Sequence, residues 1–305
     1  MTIAVTGASG YLGSRFAVDL GMADARALVR VAAPWLAVPQ VEIDVLDPVE
    51  HLVKALDGAD VVIHLAGHNE VVAREDPDRA IAETVVGTRH VVEAATLAGV
   101  RRVVYVSTVH VYGDRLAPGA TIDEEVAPAP RSAYSIARLA SEHLVMGGPS
   151  PVVLRLTNAV GPPVHPEVNR WTLVAADLCR TVTATGELVL HSTGQQCRDF
   201  IALDDVARIC LATLDPEAVA PGTYNLASGV SMTVRALATL VQDRVELRTG
   251  VRPPLRAPAP EGPDPEPYRI DTSRLDALGL RAVTPIATAI DGLLDACARA
   301  AVTQP

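Results

Sequence analysis

The chain has 305 residues, 49% of them apolar and 20% charged, an ordinary globular balance with enough apolar material for one large or two interlocked domains. With 26 basic and 36 acidic residues its formal net charge is −10, which argues against a nucleic-acid partner because such binding needs clustered Lys and Arg. The four scattered cysteines lack zinc-site or disulfide spacing, and no apolar run is long enough for a bilayer. We therefore expect a cytoplasmic enzyme with no metal site, no membrane partner and no signal peptide.

The first two-thirds of the chain alternate short apolar runs with helix-like segments. Several runs are continuous Val/Ile/Leu, which is typical of strands covered by helices on both faces. The predicted strands are 2–6, 25–30, 41–44, 60–65, 102–107 and 152–156. The predicted helices are 11–20, 48–55, 79–98 and 133–146. This alternation predicts an α/β fold with a Rossmann-type, doubly wound parallel sheet.

After residue 157 the pattern changes, beginning with a Gly-Pro-Pro loop at 161–163. Helices are predicted at 171–182, 204–213 and 234–243, strands at 199–202 and 224–226, and a Pro-rich exposed connection at 252–267. The expected organisation is a dinucleotide-binding domain at 1–157, rejoined by about 199–227. A smaller C-terminal substrate-binding lobe comprises 158–198 and 228–305.

A glycine-rich loop follows the first predicted strand directly and opens the first helix. It reads Thr-Gly-Ala-Ser-Gly-Tyr-Leu-Gly over residues 6–13. Gly7 permits the tight turn, Gly10 lets backbone amides approach a pyrophosphate, and Gly13 allows close packing of helix on strand. Ordinary turns also contain glycines, but the strand, loop and helix context favours a dinucleotide. The predicted cofactor-binding residues here are Gly7, Ser9, Gly10, Tyr11, Leu12 and Gly13.

The end of the second predicted strand reads Ala-Leu-Val-Arg, so Arg30 stands where the adenine ribose is usually recognised. An acidic residue at this point binds the ribose diol of NAD, whereas an arginine pairs with the additional phosphate of NADP. We therefore expect NADP as the cofactor. NAD remains the alternative if Arg30 is only a solvated residue at a strand end.

Candidate catalytic residues lie in two places. Ser107 and Thr108 stand at the carboxyl end of a predicted strand, the side on which open α/β sheets bind ligands. Tyr134 and Arg138 are four residues apart in a predicted helix and so project from one face. A tyrosine hydroxyl beside a fixed cation can exchange a proton with a carbonyl or alcohol while hydride moves at the same carbon. Thr108 is expected to hydrogen-bond the substrate oxygen and orient it.

The order and spacing of these motifs resemble the extended short-chain dehydrogenase/reductase family, in particular its sugar-nucleotide epimerases, dehydratases and reductases. The resemblance covers almost the whole chain. The segments that carry it are the loop at 6–13, Asp44-Val45, His64-Leu65-Ala66, Val86-Gly87-Thr88, 107–113, the Tyr134 helix, 155–162, Arg198-Asp199-Phe200, Asp204-Asp205-Val206 and Tyr224-Asn225.

The resemblance implies a role for several further residues. Asp44 and Val45 should flank the adenine, and Leu65, Ala66 and Ser107 should line the cofactor. Tyr134 should be the acid/base. Asn158 and Arg198 lie where the family contacts the substrate's diphosphate. The alternatives are that Asn158 only caps a turn and that Arg198 only pairs with Asp199.

The chain departs from the family's pattern at two points. Arg138 replaces the family's lysine; an arginine keeps its charge and can support the tyrosine, but it cannot relay a proton. The family's arginine before a Gly-Asp pair is also missing near residues 259–264. Arg256 and Arg269 are the candidates to replace it as substrate-binding residues.

The residues after Thr108 bear on the reaction. The family's dehydratases have an Asp-Glu pair there, and this chain has Val109-His110, which argues against 4,6-dehydration. His110 is a candidate acid/base or sugar-hydroxyl donor, or else a packed histidine.

The hypothesis is NADPH-dependent reduction of a nucleotide-linked 4-keto-6-deoxy sugar, with the proton from Tyr134. The alternatives are a nucleotide-sugar epimerase with tightly held NAD(P), and a non-catalytic NAD(P)-binding protein. The resemblance further implies a homodimer formed through two helices.

Overall fold

The computed structural model describes residues 1–168 and 170–303. Its strands are β1 (Ile3–Thr6), β2 (Ala25–Val29), β3 (Gln40–Glu42), β4 (Val61–His64), β5 (Arg102–Thr108), β6 (Thr121–Ile122), β7 (Val152–Leu156), β8 (Asn158–Val160), β9 (Leu188–Val189), β10 (Cys197–Ala202), β11 (Gly222–Leu226), β12 (Ser231–Thr233), β13 (Leu255–Arg256) and β14 (Arg269–Ile270). Its α-helices are α1 (Tyr11–Asp24), α2 (Val49–Ala55), α3 (Glu70–Glu75), α4 (Pro77–Ile81), α5 (Gly87–Leu97), α6 (Ala133–Met146), α7 (Val174–Thr185), α8 (Leu203–Ala212), α9 (Val234–Thr249), α10 (Ser273–Asp276) and α11 (Ile286–Thr303).

The central sheet has seven parallel strands in the order β11-β7-β5-β4-β1-β2-β3. The chain runs outward from β1 to β3 and then returns to the other side of β1 as β4. This reversal opens a crevice at the carboxyl ends of β1 and β4, where doubly wound sheets bind their ligands. The predicted α/β fold with a doubly wound parallel sheet is confirmed.

Both faces of this sheet are buried, as its continuous apolar strands predicted. Along β1, Ile3 and Val5 pack into one cluster that also contains Phe16 of α1, whereas Ala4 packs into the cluster on the opposite face with Leu52 of α2. Successive side chains of a strand point to opposite faces, so each face receives alternate residues of the same apolar run. The sheet is therefore a rigid platform for the loops at its carboxyl edge.

A second, smaller lobe stands beside that edge. Its three-stranded sheet has the order β12-β10-β8, and its core packs α7, α9 and α11 around Phe200, Leu237 and Ile290. The segment 197–227 is shared between the two lobes. β10 joins the smaller sheet, whereas α8 packs into the first core and β11 pairs with β7. No helix within residues 1–168 and 170–303 combines the length and apolar character needed to cross a membrane.

Several element boundaries differ from the sequence-based expectation. α1 continues to Asp24, but Gly21, with φ +74°, breaks its regular geometry one residue after the predicted end. The segment predicted as one helix at 79–98 consists of α4, a π-helical turn at Ala82–Val86, and α5. α7 begins at Val174, three residues later than predicted, because Leu173 is still extended. Hydrophobic periodicity does not report a π turn, since the backbone dihedrals remain close to helical.

Candidate active site

A cavity of about 540 Å³ lies between the two lobes, at the carboxyl ends of β1, β4, β5 and β7. Sites between domains and at such strand ends are the usual positions for ligands in this architecture. The lining residues are Gly7, Ser9, Gly10, Tyr11, Leu12, Gly13, Leu65, Gly67, Asn69, Glu70, Val106, Ser107, Thr108, His110, Tyr134, Arg138, Leu156, Thr157, Asn158, Ala159, Glu167, Val168, Arg170, Thr172, Leu173, Val174 and Arg198.

The glycine loop forms one wall of the cavity. Gly7 has φ +66°, and the N–H of Gly10 donates to the Gly7 carbonyl at 2.9 Å. A Cβ on Gly13 would lie 2.2 Å from the Gly7 carbonyl oxygen, so only glycine fits there. No side chain in the described residues caps the N-terminus of α1, which leaves its first N–H groups open to a ligand. This cradle fits the pyrophosphate of a dinucleotide.

Tyr134 and Arg138 meet at the cavity as the helical spacing predicted. Ser132 and Ser135 form a reciprocal cap that fixes the start of α6, with Tyr134 in its first turn. The Arg138 Cζ lies 5.4 Å from the centroid of the Tyr134 ring. Burial alone would lower the pKa of Arg138, but the oxygens of Tyr105 and Tyr134 outweigh it and raise this pKa above its usual value. Arg138 is therefore a permanent cation beside the tyrosine.

The Arg138 guanidinium is held from two sides. Nη1 donates to the Tyr105 hydroxyl at 3.2 Å, and Nη2 donates to the His68 carbonyl at 3.3 Å. The loop that carries His68 is in turn anchored to the π-helical turn, because the His68 N–H donates to Thr84 Oγ1 at 3.2 Å. The His68 ring also contacts the Glu83 carboxylate, at 2.5 Å. The π turn thus positions the loop that positions Arg138.

A buried chain of hydrogen bonds, formed by two hydroxyl groups and one imidazole, connects α5 to the end of β1, just before the glycine loop. Thr6 Oγ1 accepts the N–H groups of residues 65–66, at 3.1 and 3.2 Å, so its own proton goes to His64 Nδ1 at 2.7 Å. His64 therefore carries its proton on Nε2 and donates it to Thr88 Oγ1 at 2.9 Å. Burial and the Arg138 cation lower the pKa of His64 to about 3. The ring stays neutral and rigidly links β1, β4 and α5.

The two hydroxyls at the end of β5 have different surroundings. Ser107 donates to the Glu142 carboxylate at 2.5 Å, and Glu142 forms a buried ion pair with Arg155 at 2.8 Å. Thr108 Oγ1 accepts the N–H of His110 at 3.2 Å, which leaves its own proton free for a ligand. Both residues line the cavity, but the Ser107 proton is donated to Glu142, so Thr108 is the one with a hydroxyl proton available to a ligand. Ser107 is a positioning residue within a buried charge network.

The far side of the cavity carries polar groups from the smaller lobe. The Asn158 amide donates to the Asp199 carbonyl at 2.8 Å, and Arg198 Nη1 approaches Asn158 Oδ1 at 3.4 Å. The Asp199 carboxylate accepts hydrogen bonds from hydroxyl and backbone donors, including the Thr157 hydroxyl at 2.8 Å. Within the described residues these contacts, and not an ion pair with Arg198, satisfy the carboxylate. Desolvation and the Arg198 cation lower the pKa of His110, which keeps this imidazole neutral near pH 7.

Arg30 lies just after β2 and is not among the residues that line the cavity. Its side chain is exposed at the end of β2, with Nη1 3.4 Å from Glu83 Oε2. Arg79 binds the other oxygen of the same carboxylate at 2.7 Å. Two arginines therefore flank one acidic side chain at this point. The sequence pattern at the end of the strand indicated Arg30 but not Arg79.

Three predicted cofactor residues, Asp44, Val45 and Ala66, are not among the residues that line the cavity. Val45 packs against Gly87, where an added Cβ would lie 2.6 Å from Val45 Cγ2. The Ala66 N–H donates to Thr6, and the Asp44 carboxylate accepts a backbone N–H within its own turn. The contacts seen for these three residues are local packing and hydrogen bonds, and their role toward a cofactor stays a prediction.

The structure does not bring the two candidate replacement arginines to the cavity. Arg256 lies in the edge strand β13, largely exposed, and forms an ion pair with Glu187 at 2.8 Å. Arg269 is exposed on β14, which pairs with β6. The substrate-binding expectation for both residues therefore has no geometric support, because their short strands direct them to other surfaces.

The sequence analysis missed a set of five polar residues that line the cavity, some from each lobe. It consists of Asn69 and Glu70, after β4, and of Glu167, Arg170 and Thr172, before α7. The position of Asn69 and Glu70 just beyond the carboxyl end of a predicted strand was a usable signal. The second segment lies in an irregular loop, and the periodicity of apolar residues in the sequence does not predict the conformation of such a loop.

Comparison with known proteins agrees with this geometry. The model of the NAD dependent epimerase/dehydratase family matches residues 3–227. The GDP-6-deoxy-D-mannose reductase of Pseudomonas aeruginosa is 29% identical, over 80% of this chain and 80% of that protein. The dTDP-6-deoxy-L-talose 4-dehydrogenase (NAD(P)(+)) of Kitasatospora kifunensis is 32% identical, over 87% of this chain and 84% of that protein.

A solved structure, MoeE5 in complex with UDP-glucuronic acid and NAD, superimposes with a TM-score of 0.83 at 24% identity, covering 98% of this chain and 100% of that one. At this identity the likeness supports the fold. The family match and the curated relatives support the enzyme class. The chain therefore belongs to the NAD dependent epimerase/dehydratase family, a group of NAD(P)-dependent enzymes that modify sugar nucleotides within the extended short-chain dehydrogenase/reductases.

Proposed function

We propose that this protein reduces the keto group of a nucleotide-linked 4-keto-6-deoxy sugar at the expense of NADPH. The observation that carries the proposal is the meeting of Tyr134, Arg138 and a free Thr108 hydroxyl in one cavity beside the glycine cradle. Two curated relatives that extend over most of the chain bear the names of a 6-deoxy-sugar reductase and a 6-deoxy-sugar 4-dehydrogenase.

In this proposal the glycine loop holds the pyrophosphate, and the smaller lobe, residues 158–198 and 228–305, closes over the sugar. When bound, a reduced nicotinamide would supply the hydride for the carbonyl carbon. Tyr134 donates its hydroxyl proton to the carbonyl oxygen, and Thr108 donates a second hydrogen bond that orients this oxygen. Arg138 stabilises the tyrosinate that remains by its fixed charge.

Arg138 cannot take part in returning the proton to Tyr134. Its pKa is raised above the usual arginine value, and a guanidinium keeps its proton in proteins. Tyr134 lines an open cavity, so we propose that water in the cavity returns the proton. The neutral His110 lies in the same cavity and is a candidate to accept or donate a proton at a sugar hydroxyl.

NADP is proposed over NAD because Arg30 and Arg79 stand together at the end of β2. Within the part of the chain that the structure describes, both form ion pairs with the Glu83 carboxylate, and both remain largely solvent-exposed. A phosphate on the adenine ribose could bind both guanidinium groups, since arginine pairs with phosphate through parallel hydrogen bonds. The NAD of the MoeE5 complex belongs to that protein, and the relative from Kitasatospora is named for both nicotinamides.

A homodimer is proposed through α5 and α6. These helices are neighbours on the outer face of the first domain, and they present Leu97, Ile136 and Met146 to solvent. Apolar side chains exposed on adjacent helices are a common signature of a helix-mediated interface.

The test is NADPH consumption by purified protein with a nucleotide-linked 4-keto-6-deoxyhexose. We expect turnover that falls by about 100-fold or more in Tyr134→Phe, the usual scale for loss of a general acid. Tyr224→Phe is the matched control, because the Tyr224 hydroxyl binds the Ala220 carbonyl away from the cavity. Equal turnover of Tyr134→Phe and wild type would refute the role of Tyr134. Nicotinamide that stays bound through gel filtration, without net consumption of NADPH, would point instead to an epimerase.

A further inference from the structure

An ion pair joins the two lobes across the cavity. Arg170 Nη2, in the loop before α7, lies 2.9 Å from Glu70 Oε2, in the first turn of α3. The residues are 100 positions apart in sequence, and both line the cavity. Asn69 caps the helix that carries Glu70, because its side chain accepts two backbone N–H groups at the start of α3. The pair is thus a built feature of the cavity, held by ordered backbone on the α3 side.

The hydrogen-bonding capacity of this ion pair is not fully used. Arg170 Nη1 is buried and makes no hydrogen bond within residues 1–168 and 170–303. Buried side-chain nitrogens without a partner are rare in folded proteins, and a ligand acceptor is one way to supply the missing partner. On the other side, the Glu70 side chain is about half exposed, which leaves lone pairs of its carboxylate available to a donor. Because both side chains line the cavity, a ligand there meets a guanidinium donor and a carboxylate acceptor side by side.

The charges around the pair argue for a neutral, hydroxyl-bearing ligand. Desolvation favours the protonated form of Glu70, but the Arg170 guanidinium outweighs this effect and holds the pKa of the carboxyl below its usual value. The carboxylate is therefore ionised and its charge is balanced by Arg170, so the pair offers a phosphate no net attraction. Hydroxyl groups both donate and accept, so a carboxylate and a guanidinium together match two adjacent hydroxyls.

We propose that Glu70 and Arg170 form the subsite that selects a sugar with two adjacent free hydroxyls. One hydroxyl donates to the Glu70 carboxylate, and its neighbour accepts from the Arg170 guanidinium. The inference rests on the proposed function for its sugar-nucleotide substrate and adds the recognition of the sugar ring. Because the two residues come from different lobes, a bound diol also ties the lobes together over the site.

The test measures binding, not turnover. Dissociation constants of UDP, dTDP and GDP and of UDP-glucose, dTDP-glucose and GDP-mannose are determined by calorimetry on protein loaded with NADP⁺. For the nucleotide that binds, the attached hexose should tighten binding about tenfold or more, the scale of one or two charge-assisted hydrogen bonds. Glu70→Gln and Arg170→Met should abolish this gain while leaving the affinity for the bare diphosphate and for NADP⁺ within about twofold.

Two comparisons make the result specific. The matched control Arg180→Met removes an exposed Arg–Asp pair from the same lobe and should keep the full gain from the hexose. The 2-deoxy or 3-deoxy analogue of the preferred nucleotide sugar should lose the gain in wild type and show no further loss in Glu70→Gln. A hexose that adds nothing to wild-type affinity, or a loss of NADP⁺ affinity in both variants, would overturn the proposal. Absence of NADPH turnover refutes only the proposed reaction, because the binding gain is measured without it.

Discussion

At the scale of single residues, the arginine at position 138 is accommodated by its own surroundings. Its two terminal nitrogens are matched by the Tyr105 hydroxyl and the His68 carbonyl, which a shorter, compact ammonium group could not engage in the same way. The surroundings therefore suit a planar, forked cation. A charge fixed in this way supports Tyr134 continuously, whereas a lysine would support it and also exchange protons.

Arg30 carries a testable consequence for cofactor choice. In Arg30→Ala we expect the dissociation constant of NADPH to rise about tenfold or more, with that of NADH unchanged, because only the additional phosphate needs the guanidinium. Fluorescence titration of both reduced cofactors measures this. Arg101→Ala serves as the control, since Arg101 is equally exposed but pairs with Asp60 at the opposite end of the sheet. Equal affinity of the wild type for NADH and NADPH would contradict the preference for NADP.

Which site residues the sequence could reveal depends on how local their signals are. Tyr134 and Arg138 were predictable because four residues of one helix separate them, and Thr108 because it ends a buried strand. Arg170 was not, since it reaches Glu70 from an irregular loop 100 residues away. Charge alone also misleads: Arg256 was a reasonable candidate by position in the chain, yet its strand turns it away from the cavity.

At the scale of elements, the turn between β1 and α1 is the tightest packing constraint on the cofactor site. Gly13→Ala places a Cβ 2.2 Å from the Gly7 carbonyl, and backbone on both sides cannot yield without shifting α1. We expect a loss of stability of about 1–3 kcal/mol by overpacking. We also expect weakened binding of both nicotinamides, because the α1 N–H groups move from the pyrophosphate position. Thermal melts and calorimetry measure the two effects.

A glycine at the other end of a helix provides the comparison. Gly147, at the C-terminus of α6, has an ordinary negative φ, and an added Cβ would meet the Leu144 carbonyl at 3.5 Å, normal contact distance. Gly147→Ala should therefore leave both stability and cofactor affinity close to wild type. If Gly13→Ala behaved in the same way, the proposed role of the loop as a close-packed cradle would be wrong.

The elements themselves were unevenly predictable. The strands of the large sheet were found because continuous β-branched runs carry a strong signal, and their ends agree within two residues. α11 was missed although Ile290, Leu293, Leu294 and Cys297 are buried at helical spacing, a periodicity visible in the sequence. The two-residue strands β6, β9, β13 and β14 gave no such signal. Their formation depends on tertiary pairing between segments far apart in the chain.

At the scale of the whole molecule, the cavity lies where the chain passes from one lobe to the other. β7 ends at Leu156 in the large sheet and β8 begins at Asn158 in the small one, and residues 156–159 line the cavity. Tyr11 adds a second link, since its hydroxyl donates to the Gly161 carbonyl at 2.8 Å. Relative movement of the lobes must therefore change the width of the site. The order of elements led us to expect two lobes, whereas the polar contacts between them join residues far apart in the sequence and are visible only in three dimensions.

Association of two chains is the prediction that belongs to this scale. We expect the wild-type protein to sediment at twice the mass of one chain, and the double variant Leu97→Glu, Ile136→Glu to sediment as a monomer, because charges on α5 and α6 would be desolvated in the interface. Leu247→Glu is the control: Leu247 is as exposed as Leu97 but lies on α9 of the smaller lobe. The monomeric variant should still bind NADPH, since one chain lines the cavity. A monomeric wild type would refute the dimer while leaving the cofactor site unaffected.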